Sequence, residues 1–255
     1  MEPVHFSSAE ESGAEAVLSF PPEVVWKAIT DGEDLVHWFA VTGGWPPAPA
    51  PGERYWIRST SLGYMAFEYV AVDPPRRVVT RGLYTGRIFI WELAAVEGGT
   101  RLRITVRRGL DDRKWDADLE DNSAGYAALF VDLRRYLEGH YDAQRFPFFG
   151  IRSRPGSSGT NNAPVVTHVR PWAEAAGIRV GDQILAVDGD PVPPSPLSFA
   201  PLYPLVHRYV AGDRVTLRLK REEKTLDASL RLLDWREAAD ATGADVGPPP
   251  GFENN

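Results

Sequence analysis

The sequence has no cysteine, which excludes disulfides, thiolate nucleophiles and cysteine metal sites. It has no uninterrupted apolar run of membrane-spanning length. The opening MEPVHFSSAEESG lacks the basic patch and apolar stretch of a signal peptide, so no membrane span and a cytoplasmic location are expected. Positive charge is outnumbered, with 28 Lys and Arg against 35 Asp and Glu. With a formal net charge of −7, and with the Arg pairs 76–77, 107–108 and 134–135 standing apart, no surface is expected to neutralise a row of nucleic-acid phosphates. Catalytic signatures are missing too: no G-x-S-x-G, Walker loop, H-E-x-x-H or G-x-G-x-x-G occurs. Gly156-Ser157-Ser158-Gly159 is one residue short of a nucleophile elbow and reads as a loop, and the five histidines show no metal-ligand spacing. Asp116, Asp118 and Glu120 alternate as in a calcium loop, but Asp121 stands where that loop needs glycine and Ala127 where it needs glutamate. No cofactor and no metal are expected.

What is present is the composition of a globular chain: 255 residues, 43% hydrophobic and 25% charged, long enough for two cores. The first domain is expected over residues 1–139, with about a dozen loose residues at its start and a strand from Glu15 to Phe20. Pro22 suits a helix start and Glu23 suits its positive end, with Val24, Val25, Ala28 and Ile29 at helical spacing. A second short helix runs from Asp34 to Phe39. After the Gly/Pro-rich loop Gly43 to Gly52 the period becomes two, giving strands at Tyr55–Arg58, Tyr64–Val72, Arg77–Leu83, Arg87–Ala94 and Thr100–Arg107. Phe89, Trp91 and Leu93 share a face with Leu102, Ile104 and Val106, and Phe67, Tyr69 and Ala71 are expected to share it too.

A closing helix is read from Ser123 to Glu138, with Tyr126, Leu129, Phe130, Leu133 and Leu137 on its apolar side. A long amphipathic helix on a curved antiparallel sheet is a helix-grip arrangement, and its groove is a natural apolar pocket. PPEVVWKAITDGEDLVHWF, VAVDPPRRVV, EGGTRLRITV and GYAALFVDLRRYLE together resemble the START-like (SRPBCC) superfamily, in its branch related to the activator of the ninety-kilodalton heat-shock ATPase. The resemblance implies an apolar small-molecule ligand, a chaperone-related contact, or occasionally cyclase-type chemistry. Trp38, Phe67, Tyr69, Phe89, Trp91, Tyr126 and Phe130 are then candidate ligand-binding residues. The same rings have a plainer reading as a filled core.

The second domain is expected over residues 145–235, organised around Arg170 to Val192, RPWAEAAGIRVGDQILAVDGDPV. This reads as a short helix stopped by Gly177, a turn at Gly181-Asp182, a strand Gln183–Val187 and the Asp188-Gly189 pair of a type I′ turn. That order resembles the core of a PDZ domain, and Phe148-Phe149-Gly150-Ile151 resembles its carboxylate-binding loop. The resemblance implies that an extended peptide, a segment or C-terminus of a partner protein, adds as a strand beside Ile151–Arg154. Candidate peptide-binding residues are Phe149, Gly150, Ile151, Arg152, Ser153, Leu205 and His207, the last two on a helix expected near Leu202 to Tyr209. Phe148 stands where that loop carries a second glycine, which puts terminal-carboxylate capture in question.

Residues 236–255 are acidic, rich in Ala, Gly and Pro, and expected to be disordered. The fold class is thus α+β: a helix-grip START-like domain followed by a small PDZ β-sandwich with two helices. The function expected is that of a non-enzymatic two-domain adaptor. Its rival is a cyclase- or hydrolase-type enzyme in the first domain, using His37 with Tyr69 or Tyr126 as its polar pair.

Overall fold

A computed structural model of the chain describes residues 2–59, 63–109, 115–156, 163–195, 197, 200–244, 247–249 and 251–252, with the side chains of 115–122 left aside. Two compact units result: Met1–Ala143 with Val246–Asn255, and Gln144–Asp245.

The first unit is built on an antiparallel sheet of β1 (Val4–Ser7), β2 (Glu11–Leu18), β3 (Thr42–Gly44), β4 (Arg54–Arg58), β5 (Tyr64–Asp73), β6 (Arg77–Gly82), β7 (Ile88–Val96) and β8 (Gly99–Arg107). Their order is β1-β2-β8-β7-β6-β5-β4-β3. The helices are α1 (Pro22–Thr30), α2 (Gly32–Trp38) and α3 (Trp115–Leu137), the last packed across β1 and β2. Asp31 ends α1 and caps α2, its carboxylate accepting from the Glu33 amide at 2.9 Å.

The opening residues are not loose. Val4–Ser7 pairs with Glu15–Ser12, and the Ser8 hydroxyl closes the turn by accepting from the Glu11 amide at 3.2 Å. One strand differs from its alternation. A bulge between Tyr69 and Ala71 leaves Val70 unpaired and 46% exposed. Beyond it, Ala71 joins Val79 and Ile90 in one cross-strand row, while Val72 joins Val78, Trp91 and Ile104 in the row beneath the helices. Ala71 therefore leaves the face of Phe67 and Tyr69, and Val72 takes its place. The opposite face carries a row of alternating charge, Asp73, Arg77, Glu92, Arg103 and Glu15, each paired in register with the next. These pairs are exposed, so they add little stability and chiefly fix register.

The second unit's sheet has β9 (Ile151–Arg154), β10 (Val165–Val169), β11 (Gln183–Val187), β12 (Asp190–Pro191), β13 (Arg214–Arg221) and β14 (Lys224–Arg231). The order is β14-β13-β11-β10-β9, with β12 hairpinned onto β11. Asp188 and Gly189 have φ of 51° and 89°, the two positive values that a type I′ turn requires. The Asp188 carboxylate is held there by the Thr216 amide at 2.7 Å and the Tyr209 hydroxyl at 2.9 Å. Helix α4 (Pro171–Ala175) is as expected, but the helix near Leu202 is a single 3-10 turn, Tyr203–His207, in which Pro204 lacks an amide donor.

Asp182, 1% exposed, anchors the turn before β11 by accepting two hydrogen bonds from Arg221, at 2.7 and 2.8 Å, and one from the Arg179 amide at 2.8 Å. Burial alone would raise its pKa, but the Arg221 and Arg179 hydrogen bonds outweigh it and the net shift is downward from 3.8. A depressed carboxylate pKa adds stability above the unfolded value and loses it as pH falls through the folded one. Asp182→Asn should cost about 1–3 kcal/mol at neutral pH, because the amide cannot accept both charge-assisted hydrogen bonds from Arg221. Urea unfolding of the variant should also show a smaller loss of stability on acidification below pH 3.8 than the parent.

The tail departs most from expectation. Residues 235–242 form α5 (Trp235–Thr242) beside α4, opened by a capping box between Asp234 and Glu237 and closed by Gly243 at φ 62°. Further on, Phe252 is 5% exposed and packs in the first unit on Trp56 and Ala66, while the Tyr64 hydroxyl donates to the Gly247 carbonyl at 2.7 Å. Phe252→Ala should lower first-unit stability by about 1–2 kcal/mol in chemical denaturation. That is less than a Phe→Ala in a large core costs, because Phe252 belongs to a small cluster with few buried neighbours.

Candidate functional site

In the first unit the seven expected rings divide into two adjoining clusters. Trp38 and Phe130 lie in the cluster under α3, Phe67 and Tyr69 in the one over β4 and β5, and all four are buried. Phe89 and Trp91 pack against both clusters, Tyr126 against the first, and these three are half-buried. The rings meet one another directly: Trp91 and Phe130 at 6.1 Å, Phe67 and Phe89 edge-on at 5.4 Å, and Tyr55, which sequence reading left out of the set, on Tyr69 at 4.8 Å. The Trp38 indole donates to the Ala28 carbonyl at 2.8 Å, which satisfies its one polar atom in the core.

The polar pair suggested for the enzymatic rival is not brought together. His37 points to the far end of α3, where it stacks on Tyr136 and its Nδ1 meets Asp142 at 3.0 Å. Tyr126 stands ten residues, roughly 15 Å, back along that helix. Tyr69 sits in the other cluster, and burial pushes its phenol above the ordinary value, so it stays protonated. Around His37 the structure assembles a surface network that sequence reading missed. The Tyr136 hydroxyl and the Lys27 ammonium both donate to Asp34, with Asp31 3.1 Å from Lys27. Burial and the bond to Asp34 raise the Tyr136 pKa.

The second unit supplies the better defined site. Gly150 adopts φ 72°, turning the chain from Phe149 into β9. Phe148 is bonded in both directions to Leu233, at 2.9 and 3.2 Å, in extended backbone that any residue adopts. The backbone at 148 therefore makes no demand for glycine. Among the described residues, neither the Phe149 nor the Gly150 amide meets an acceptor. Successive backbone amides left unbonded beside a left-handed glycine are groups of the kind that can accept an anion.

Three side chains hold the loop in this shape. Trp172 of α4 lays its indole against Gly150, so that a β-carbon there would stand 2.5 Å from the ring. The Phe149 ring is 6% exposed and meets Tyr209 edge-on at 6.4 Å. Burial first, then the hydrogen bond to Asp188, raises the Tyr209 pKa to about 12. Trp172 and Tyr209 were not expected from sequence, since each reaches the loop from a distant element.

Strand β9 is the end of its sheet. It pairs with β10 on one side, and among the described residues none of its backbone groups bonds anything on the other. Ile151 and Ser153 point inward and Arg152 and Arg154 outward. Phe149, Ile151 and Leu205 belong to one apolar cluster, with Leu205 1% exposed. His207 lies on the same 3-10 turn but sets its ring edge-on to Tyr203 at 5.2 Å. Residues 157–159 of the Gly156–Gly159 motif and the acidic side chains at 116, 118 and 120 lie outside the described residues. No described helix is long and apolar enough to cross a membrane.

Comparison with known proteins bears on both units. The family described as Activator of Hsp90 ATPase homolog 1-like protein matches residues 19–138, and the PDZ domain family matches residues 147–232. Among solved structures, a protein from Rhodobacter sphaeroides is 21% identical over 54% of this chain and 99% of its own, with a TM-score of 0.43. The solution structure of the Aha1 dimer from Colwellia psychrerythraea is 18% identical over 54% and 97%, with a TM-score of 0.43. An AHSA1-like protein from Aeromonas hydrophila is 19% identical over 51% and 92%, with a TM-score of 0.41. A search of curated proteins gives no match. The chain carries an N-terminal START-like domain of the Hsp90-ATPase-activator homologue family, residues 19–138, followed by a C-terminal PDZ domain, residues 147–232.

Proposed function

We propose that the protein is a non-enzymatic adaptor whose PDZ domain holds the C-terminal segment of a partner while its START-like domain takes an apolar ligand or partner surface. One observation carries the reading: the open edge of β9 runs directly out of a loop with two unpaired amides. An extended peptide supplies what both lack. Its backbone completes the ladder along Ile151–Arg154, its terminal carboxylate accepts from Phe149 and Gly150, and alternate side chains meet the apolar cluster of Phe149, Ile151 and Leu205. For the first domain, the half-buried Phe89, Trp91 and Tyr126 supply apolar area for a ligand.

Fluorescence polarisation of a random-sequence heptapeptide library against the full chain tests this. Binders with a free carboxylate and an apolar last residue are expected, weakened at least about tenfold by amidation of that carboxylate. A library that yields no binder would remove the peptide-holding role.

A further inference from the structure

The charges around the groove are arranged unevenly. Residues 147–232 hold eleven Lys and Arg against eight Asp and Glu, a net +3 inside a chain of net −7. Away from the groove four of the six arginines are in ion pairs: Arg208 with Asp190, Arg218 with Asp227 at 3.2 Å, Arg221 with Asp182, and Arg231 with Glu237 at 2.8 Å. Beside it they are not. Among the described residues no acidic side chain pairs with Arg152 or Arg154 on β9, or with Arg170, whose amide donates to the Gly150 carbonyl at 2.7 Å. Residues 155–164, which connect β9 to β10, contain no charged residue that could serve. His168 stands directly across from Arg152, so the row of side chains outside the edge contains no acid.

We infer that the peptide class selected by this groove is acidic, with carboxylates at the penultimate and fourth-from-last positions. This rests on the peptide-holding role proposed above. Directly opposed residues of an antiparallel pair share a face. With the terminal residue opposite Ile151, its side chain turns inward, and the residue before it lies beside Arg152 on the outer face. The next falls opposite Ser153, inward again, and the fourth from last lies beside Arg154. Arg152 and Arg154 are exposed and aligned with these two positions, so each outward carboxylate gains an opposite charge at cross-strand distance.

The test uses two free-carboxylate octapeptide pools with Val, Leu, Ile and Phe randomised at the inward positions. One pool has Asp at the penultimate and fourth-from-last positions, the other Ser. Half-saturation of the full chain by the Asp pool should come at about 3- to 10-fold lower concentration, the size of two exposed cross-strand ion pairs. The advantage should shrink as salt is raised from about 50 to about 300 mM. In the double variant Arg152→Glu with Arg154→Glu it should reverse. Equal binding of the two pools would overturn the inference and leave the arginines as charges that guard a sheet edge. If neither pool bound, the peptide-holding role itself would fall, and this inference with it.

Discussion

Replacing Gly150 by alanine is expected to weaken peptide binding at least about tenfold and to destabilise the PDZ domain by about 2–4 kcal/mol. Two costs combine. An L-residue at φ 72° loses about 1 kcal/mol or more relative to glycine. The added β-carbon also falls 2.5 Å from the Trp172 indole, so either the ring or the loop must move. The two are separable. Gly150→Ala combined with Trp172→Ala removes the clash but keeps the backbone strain, so the double variant should cost less than the sum of its parts in a thermodynamic cycle. Additive costs would mean that the indole does not brace the loop, and unaltered peptide binding by Gly150→Ala would mean that the loop is not part of the site.

Phe130→Ala should cost the START-like domain about 3–5 kcal/mol, the range for deleting a fully enclosed aromatic ring. Phe130 is 0% exposed, stands over Trp91, and belongs to the cluster joining α3 to β2, β7 and β8. A side chain that merely lined an open pocket would leave no void and would cost far less. Urea denaturation followed by tryptophan emission measures the difference. A cost under about 1 kcal/mol would place Phe130 at a cavity wall rather than in packed core.

Several of these features are legible in the sequence because one residue type answers one local demand. Asp188-Gly189 predicts the type I′ turn, since few other pairs accept two positive φ values. Phe149-Gly150-Ile151 predicts the loop and the strand that leaves it. The alternation of Phe89, Trp91 and Leu93 against Val106, Ile104 and Leu102 predicts the register observed between β7 and β8. Ala71 was misplaced because the bulge at Val70 shifts the period by one in a run, Tyr-Val-Ala-Val, in which every residue suits either face. Helix α5 was missed although Asp234 and Glu237 spell a capping box and Trp235, Ala238 and Ala239 an apolar stripe. The Ala-, Gly- and Pro-rich composition beyond it masked that local signal. Phe252 seats on Trp56 and Ala66, a contact between residues nearly two hundred positions apart, which no window of sequence registers. The same holds for Trp172 on Gly150 and Tyr209 on Phe149.

The assignment of the groove depends on backbone groups rather than on any one side chain, so backbone amides are the right probe. Amide hydrogen exchange, read residue by residue on the full chain with and without a saturating free-carboxylate peptide, reports on them directly. Marked slowing at Phe149 and Gly150 and along Ile151–Arg154, with β14 at the opposite end of the sheet unaffected, is the predicted result. Peptide binding that leaves those amides exchanging as before, or that protects β14 instead, would contradict it.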